Sequence, residues 1–134
     1  MKVARKEREM GELIAIAIYP DKRVEDVHLP MPPASILKSL QEIVEGWIEA
    51  VGLSDGSTMY VNEEGLYRFG PEDFNSIATD VCGLGGRPDI MLGAGIRGPV
   101  AILGPLDADG YDTTVTDKAR RWVRRVAREA RLGT

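Results

Sequence analysis

The sequence is poor in the residues that build disulfides and zinc sites. It holds one cysteine, Cys82, and one histidine, His28. A single cysteine excludes a disulfide within the chain and fits a reducing compartment. A zinc site made of cysteine and histidine is excluded as well, because such a site takes at least three protein ligands.

Long apolar runs are also missing. No segment approaches the roughly 18 consecutive apolar residues of a membrane span. The first residues, MKVARKEREM, are charged and lack the apolar centre and cleavage site of a secretory signal. We therefore expect a cytoplasmic protein that does not bind to or cross a membrane.

Charge is distributed unevenly along the 134 residues, whose net charge is −4. Residues 1–11 carry four basic and two acidic groups, and residues 12–112 carry six basic and seventeen acidic groups. Residues 113–134 carry seven basic and two acidic groups. An acidic body repels nucleic acid at long range, which argues against nucleic-acid binding unless the basic segments are set apart in space.

The basic C-terminal segment has the pattern of an amphipathic helix. Its apolar residues recur at helical spacing and share one stripe, formed by Val115, Ala119, Trp122, Val123, Val126, Ala127 and Ala130. The remaining face is basic and consists of Lys118, Arg120, Arg121, Arg124, Arg125, Arg128 and Arg131. Burying the stripe contributes on the order of 6–10 kcal/mol before opposing terms, so we expect it to be covered. The pattern leaves open whether it covers the chain's own body or a second copy, with Trp122, Val123 and Val126 at the interface.

The rest of the chain alternates short apolar runs with turn residues. Strands are predicted at 12–19, 24–29, 47–53, 58–62, 89–92 and 99–103, and helices after Pro33 and from Pro71 to Gly83. This order predicts an α+β protein with a mainly antiparallel sheet and two or three helices, the last of them rich in arginine. We expect a charged, flexible leader at 1–11, a single compact domain at 12–112 and the C-terminal helix at 113–134.

The segment Asn62-Glu63-Glu64-Gly65 is the strongest candidate for a binding site. An amide and two carboxylates on one tight turn can hold a divalent cation or a cationic group of a partner. The competing interpretation, which we favour, is a structural turn in which Asn62 bonds its own backbone and Gly65 supplies a positive φ.

Other patterns do not support a catalytic or cofactor site. The acidic segment starting at Asp107 lacks the glutamate of an EF-hand, because its twelfth position is Lys118. The glycine-rich segment from Gly93 to Gly98 does not open a helix, as a dinucleotide-binding loop requires, so a hairpin or bulge loop is predicted. Nothing around Cys82 indicates a reactive thiolate. We predict no catalytic residue, no metal site and no cofactor.

Several segments together resemble one known family. SLQEIVEGWIEAV, MYVNEEGL, NSIATD and DIMLGAGIRGPVAILGPLDADG, within about residues 36–110, are similar to domain of unknown function 3846, a family of bacteriophages and actinobacteria. The positions that fit the family pattern are Gly46, Trp47, Asn62, Glu63, Glu64, Gly65, Asn75, Ala78, Gly98, Val100, Ile102 and Gly104. Glu45 departs from the pattern, which has a second glycine there. The resemblance implies a phage or mobile-element origin and no defined activity, and it leaves the C-terminal helix outside.

These observations predict a small, non-catalytic binding protein that forms an oligomer and modulates a host protein. The expected contact elements are the Asn62–Gly65 turn and the outward arginines of the last helix. An alternative is a nucleic-acid-binding protein that uses Arg120, Arg121, Arg124, Arg125 and Arg128. A second alternative is a nucleotide-binding or metal-binding protein, or an enzyme, built on the Asn62–Gly65 turn. We expect a protein partner or a second copy of the chain in preference to nucleic acid.

Overall fold

The computed structural model describes residues 11–132, and the predicted leader lies outside the described residues except for Gly11. Five strands are formed, which are β1 (Glu12–Ile18), β2 (Val24–Pro30), β3 (Ile48–Gly52), β4 (Thr58–Asn62) and β5 (Val100–Leu103). The predicted strand at 58–62 is confirmed at both ends. The stretch before it is a strand that begins at Ile48, so the prediction of a helix followed by a hairpin is confirmed.

The strands form one antiparallel sheet in the order β2-β1-β5-β4-β3. β1 and β2 pair as one hairpin, with Glu12 opposite Pro30, and β3 and β4 pair as a second, with Ile48 opposite Asn62. β5 comes last in the sequence and lies between the two hairpins, where it pairs with β1 and β4. The predicted α+β class with an antiparallel sheet is confirmed.

The helices of the described chain connect and cover the strands. They are α1 (Pro33–Val44), α2 (Gly65–Arg68), a 3-10 helix (Pro71–Asp73), α3 (Ser76–Leu84), α4 (Pro88–Leu92) and α5 (Asp117–Leu132). Asn75 caps α3, because its Oδ1 accepts a hydrogen bond from the amide of Ala78 (3.1 Å). Within residues 11–132, no helix combines the length and the apolar character needed to cross a membrane.

Each face of the sheet is apolar and is covered by helices. On one face, Ile36 and Leu40 of α1 pack with Leu13, Leu29 and Leu103 of the sheet. On the other face, α3 and α5 lie side by side over a larger core that includes Ile16, Ile18, Met59, Val100 and Ile102. The alternation of side chains along each strand supplies both cores, so the molecule has three layers in the order helix, sheet, helix.

The apolar stripe of α5 is buried within its own chain. Val115, Ala119, Val123, Val126 and Ala127 are between 0 and 5% exposed. Trp122 and Ala130 are partly buried against the same core. The sequence left open whether this stripe meets the chain's own body or a second copy, and in the structure it lies on the chain's own sheet and α3.

The predicted strand at Asp89–Leu92 is wrong, because this segment is helix α4. Pro88 is the first residue of the helix, where the missing amide hydrogen costs nothing, and Asp89 lies in the first turn, where a negative charge is favourable. The Arg87 guanidinium donates two hydrogen bonds to the Asp89 carboxylate, at 3.1 and 3.0 Å. The glycine-rich segment Gly93–Gly98 is a loop, but it connects a helix to β5, so it does not join two strands of a hairpin.

A hydrogen-bond network joins the β3–β4 turn to the start of α5. The hydroxyl of Thr116 donates to Oδ2 of Asp55 (2.8 Å) and accepts from the amide of Ala119 (3.0 Å), so it caps α5. Ser57 donates its amide and its hydroxyl to the same carboxylate, each at 2.8 Å. Burial acts to raise the pKa of Asp55, but the hydrogen bonds from Ser57 and Thr116 outweigh it and hold this pKa below its usual value of 3.8.

This network predicts a pH-dependent loss of stability on Asp55→Asn. The pKa of Asp55 is lowered by folding, so its contribution is present above the unfolded pKa and is lost as the pH falls through the folded pKa. We expect Asp55→Asn to reduce the free energy of unfolding by about 1–3 kcal/mol at pH 7, and the difference from wild type to shrink below about pH 4. Urea denaturation of wild type and Asp55→Asn, from pH 7 to pH 3, measures this difference in the free energy of unfolding.

Asp80→Asn is the matched control, because Asp80 is exposed on α3. It should leave stability at pH 7 nearly unchanged. A difference between wild type and Asp55→Asn that stays constant across this pH range would contradict the role given to the carboxylate.

Candidate functional site

The Asn62–Gly65 turn is built around the side chain of Asn62, the last residue of β4. Asn62 is 7% exposed. Its Oδ1 accepts a hydrogen bond from the amide of Glu64 (2.8 Å), and its Nδ2 donates to the carbonyl oxygen of Val44 (3.0 Å) at the end of α1. The predicted bond from Asn62 to the local backbone is confirmed. Both ends of its amide are engaged by the protein itself, so Asn62 is a structural residue of the turn.

Two glycines allow this turn to pack closely. A Cβ on Gly46 would lie 2.7 Å from Nδ2 of Asn62, so the asparagine occupies the space that a side chain at position 46 would need. A Cβ on Gly65 would lie 3.3 Å from the carbonyl oxygen of Arg97. Gly65 is not among the glycines with a positive φ in the described chain, so the prediction that it supplies one is wrong. Its small size serves the approach of the Arg97 backbone instead.

The turn carries large apolar side chains that are exposed. Trp47 is 69% exposed, Leu66 49% and Tyr67 94%. The carbonyl oxygen of Trp47 accepts from the amide of Glu63 (3.0 Å), and the amide of Tyr67 donates to the carbonyl oxygen of Glu64 (2.9 Å). Trp47 and Tyr67 are therefore both anchored to the turn through their backbones. We call this surface, formed by Trp47, Glu63, Glu64, Leu66 and Tyr67, the turn surface.

A shallow groove of about 230 Å³ lies beside the turn. Its lining includes Glu49, Glu63, Leu66, Tyr67, Ile90 and Arg97. Arg97 is held in place by a hydrogen bond from its Nη1 to the carbonyl oxygen of Phe69 (3.1 Å). The groove thus combines apolar side chains with carboxylates and one fixed guanidinium. It is small and open, as in a contact surface for a larger partner.

The carboxylates of the turn do not form a metal centre with their surroundings. Glu63 and Glu64 are exposed. Across residues 11–132, no group of three or more histidine, cysteine, aspartate and glutamate side chains is arranged to hold a metal ion.

The turn surface adjoins an unpaired sheet edge. β3 follows directly after Trp47 and is the outermost strand, bonded to β4 on one side. Glu49 and Ala50 of β3 are exposed. β2, at the other edge, carries Glu25, Asp26 and Pro30, residues that discourage strand pairing. The β3 edge has fewer such residues, so it is the more open of the two edges.

The arginines of the last helix lie on a separate surface. Arg120 is half-buried and pairs with Asp26 of β2 (2.8 Å). Arg125 pairs with Glu129 one turn further along the helix (3.3 Å). We call the exposed set Arg121, Arg124, Arg125 and Arg128 the arginine face. The grooves beside the two surfaces share no lining residue, so the structure does not bring the two predicted contact elements together.

Residues Trp122, Val123 and Val126 were predicted at an interface. Val123 is 2% exposed and Val126 4% exposed, both in the core beneath α5. Trp122 is partly buried, and the ammonium of Lys118 lies 5.7 Å from its ring centroid. The surfaces of the two valines are therefore covered by the chain itself.

A larger groove of about 680 Å³ lies between β2 and α1, and no sequence pattern predicted it. Its polar lining includes Tyr19, Arg23, His28, Ser39, Glu42 and Glu45. Nδ1 of His28 lies 2.7 Å from a carboxylate oxygen of Glu12, and both side chains are more than half exposed. The guanidinium of Arg23 stacks on the ring of Tyr19 at 4.0 Å. His28 and Arg23 are thus each engaged by a neighbouring side chain of the protein.

The single cysteine is buried and unreactive. Burial raises the pKa of Cys82 to about 11. Of the smaller effects, the charge of Arg87 lowers this pKa and the charge of Asp89 raises it. Its Sγ lies 3.7 Å from the sulfur of Met59 in the core. A thiol with a raised pKa is protonated at neutral pH and is a poor nucleophile.

A known family model matches most of the chain. The model of "Domain of unknown function (DUF3846)" matches residues 13–127. The chain belongs to this family. The match extends well beyond the predicted 36–110 and reaches Ala127, so the prediction that the arginine-rich helix lies outside the resemblance is wrong. A search of the curated proteins and a search of the solved structures each found no match.

The positions that fit the DUF3846 pattern have structural roles in this chain. Nδ2 of Asn75 donates to the carbonyl oxygens of Ile18 and Gly98, each at 3.0 Å, and so ties α3 to the end of β1 and to the loop before β5. Glu45, where the pattern has glycine, follows α1 with a φ of 64°, the left-handed geometry that glycine adopts without strain. Trp47, by contrast, is 69% exposed, and Glu63 and Glu64 are exposed as well, so packing does not explain these three positions.

The packing of Asn62 against Gly46 predicts that Gly46→Ala is destabilising. The added methyl would displace a buried amide that bonds Val44, so we expect a loss of about 1–3 kcal/mol in the free energy of unfolding. The matched control is Gly52→Ala, since a Cβ on Gly52 meets no atom within 4 Å. It should be neutral, or stabilising by up to about 1 kcal/mol. Urea denaturation compares them, and equal stability of the two variants would refute this packing.

Proposed function

We propose that this protein is a non-catalytic binding protein that contacts a protein partner through its turn surface. The observation that carries the proposal is the pair of exposed aromatic side chains, Trp47 and Tyr67, anchored to one rigid turn. Tryptophan and tyrosine are enriched among the residues that dominate binding energy in protein interfaces. Covering a large, exposed apolar side chain with a partner is favourable, because apolar surface is removed from water.

The chemistry around the aromatics supports a protein ligand. Glu63 and Glu64 place carboxylates at the rim, and Arg97 places a guanidinium in the adjoining groove. Apolar anchors surrounded by polar groups are the usual anatomy of a protein interface. The open edge of β3 next to Trp47 can also bond to an extended segment of the partner.

The phage or mobile-element origin implied by the family resemblance stays a prediction, as does a cytoplasmic location. Together they make a host protein the expected partner. A second copy of the chain is the alternative partner, and the turn surface rather than the seam under α5 would form that contact, because Val123 and Val126 are already buried.

Site-specific photo-crosslinking from position 67 tests the proposal. A benzophenone amino acid in place of Tyr67 is expected to give one discrete cross-linked protein in host cells, identified by mass spectrometry. The same probe at Tyr111, which is 39% exposed, is the control and should not give that product. A cross-link between two copies of the chain would make the chain its own partner.

The captured partner, once purified, allows a quantitative test. Trp47→Ala and Tyr67→Ala should each weaken its binding about tenfold or more, equivalent to at least about 1.4 kcal/mol. Stability to urea should change little, because both side chains are exposed. Tyr111→Ala serves as the control for binding. Unchanged affinity in both aromatic variants would refute the turn surface as the contact site.

A further inference from the structure

Within residues 11–132, most of the charge on the arginine face has no acidic partner. Arg121, Arg124 and Arg128 are exposed, and none forms an ion pair with another residue in the range 11–132. Arg125 pairs with Glu129 at 3.3 Å, but both of these side chains are about two-thirds exposed. We propose that the arginine face binds the phosphate backbone of duplex DNA.

The composition of the face favours a polyanion over a protein. From Asp117 to Arg131, α5 has no exposed large apolar side chain. Leu132, the last residue of the helix, is exposed. A protein interface needs an apolar or aromatic centre to supply most of its binding energy. Contacts with a phosphate backbone need only positive charge and hydrogen-bond donors. The turn surface has such an apolar centre and the arginine face has none.

The spacing of the arginines fits successive phosphates. At 1.5 Å per residue, the seven steps from Arg121 to Arg128 cover about 10 Å along the helix axis. This length corresponds to about three base-pair steps along the axis of a duplex, at about 3.4 Å per step. Each guanidinium can present two parallel donors to one phosphate, which a lysine cannot do.

Two acidic residues of β2 close to the face are paired with other arginines. β2 runs beside α5, and Val24 of β2 shares a groove with Arg124 and Arg128. On this strand, Asp26 pairs with Arg120 (2.8 Å) and Glu25 pairs with Arg23 (3.3 Å). The nearest carboxylates of β2 therefore offset little of the positive potential. The acidic remainder of the chain repels DNA from other directions and restricts binding to this face.

The structure favours duplex over single-stranded nucleic acid. Proteins that hold single strands stack successive bases on exposed aromatic side chains. The aromatic residue of α5, Trp122, is packed against the core beneath the helix. The arginine face has no stacking platform, whereas contacts to a duplex backbone need none.

Fluorescence anisotropy with a labelled 20-base-pair duplex of arbitrary sequence tests the proposal. We expect binding at about 50 mM salt that weakens with a log–log slope near −3 to −4, as about four phosphate contacts predict. The double variant Arg124→Glu/Arg128→Glu should lower the affinity at least about tenfold and reduce the slope by about 2. A thermal melt that matches wild type shows that this variant is folded.

Lys38→Glu/Arg68→Glu is the matched control, because it changes the net charge by the same amount through exposed residues of α1 and α2. It should bind the duplex nearly as wild type does. Trp47→Ala should also bind normally, which separates this proposal from the one for the turn surface. No binding at 50 mM salt, or equal losses in the arginine variant and the control, would overturn the proposal. Displacement of the duplex by polyglutamate at equal charge concentration would overturn it in favour of an acidic protein.

Discussion

The burial of the α5 stripe is the interaction on which the rest of the structure depends. The sheet has two apolar faces, and within residues 11–132 the first is covered by α1. The second face needs both α3 and α5, because Ile16, Ile18, Val100 and Ile102 lie in one core with Val115, Val123 and Val126. Leaving that face in water would expose several large apolar side chains, each worth about 1.5–3 kcal/mol of burial. The helix is therefore a layer of the domain.

The direction of the arginines follows from that packing. When the apolar stripe of an amphipathic helix faces the core, the opposite side must face solvent. Two contacts fix the helix in position, one at its start through Thr116 and Asp55 and one along its side through Arg120 and Asp26. The outward charges are thus held on a rigid element, which lowers the entropy lost when a ligand binds.

The two proposed surfaces differ in chemistry and are built on different parts of the fold. The turn surface has exposed aromatics supported by a buried asparagine and two glycines, and it lies at the open edge of the sheet. The arginine face has charge without exposed aromatics and lies on the helix that covers β1 and β5. Together the two proposals describe a protein that contacts a protein partner and DNA through separate surfaces.

Local patterns were sufficient to predict most of the fold. The strand at 58–62 follows the turn residues Asp55-Gly56, and the helix after Pro33 and the C-terminal helix each carry their own signal in periodicity. The strand prediction for Asp89–Leu92 was wrong because a short apolar run has no clear period. Pro88, just before it, favours the start of a helix. The stripe of α5 was evident from spacing, but its docking partner was not, since one amphipathic pattern suits the chain's own core and a second copy equally.

The candidate site was only partly predictable. The bond from Asn62 to the neighbouring backbone follows from the turn chemistry of asparagine. Two other contacts join residues that are distant in sequence, so no local pattern predicts them. They are the hydrogen bond from Asn62 to Val44 and the approach of Arg97 to Gly65. The exposure of Trp47 and Tyr67 also depends on the tertiary fold. Their apolar character alone predicts burial, and only the position of β3 at the sheet edge leaves Trp47 in water.

Chemical denaturation of Val123→Ala at several protein concentrations tests the docking of α5 most directly. Val123 is 2% exposed in the core between α5 and the sheet. We expect a loss of about 1–3 kcal/mol in the free energy of unfolding, the same across a hundredfold range of about 1–100 µM protein. A variant as stable as wild type, or a loss that grows with protein concentration, would show that this side chain is not buried within its own chain.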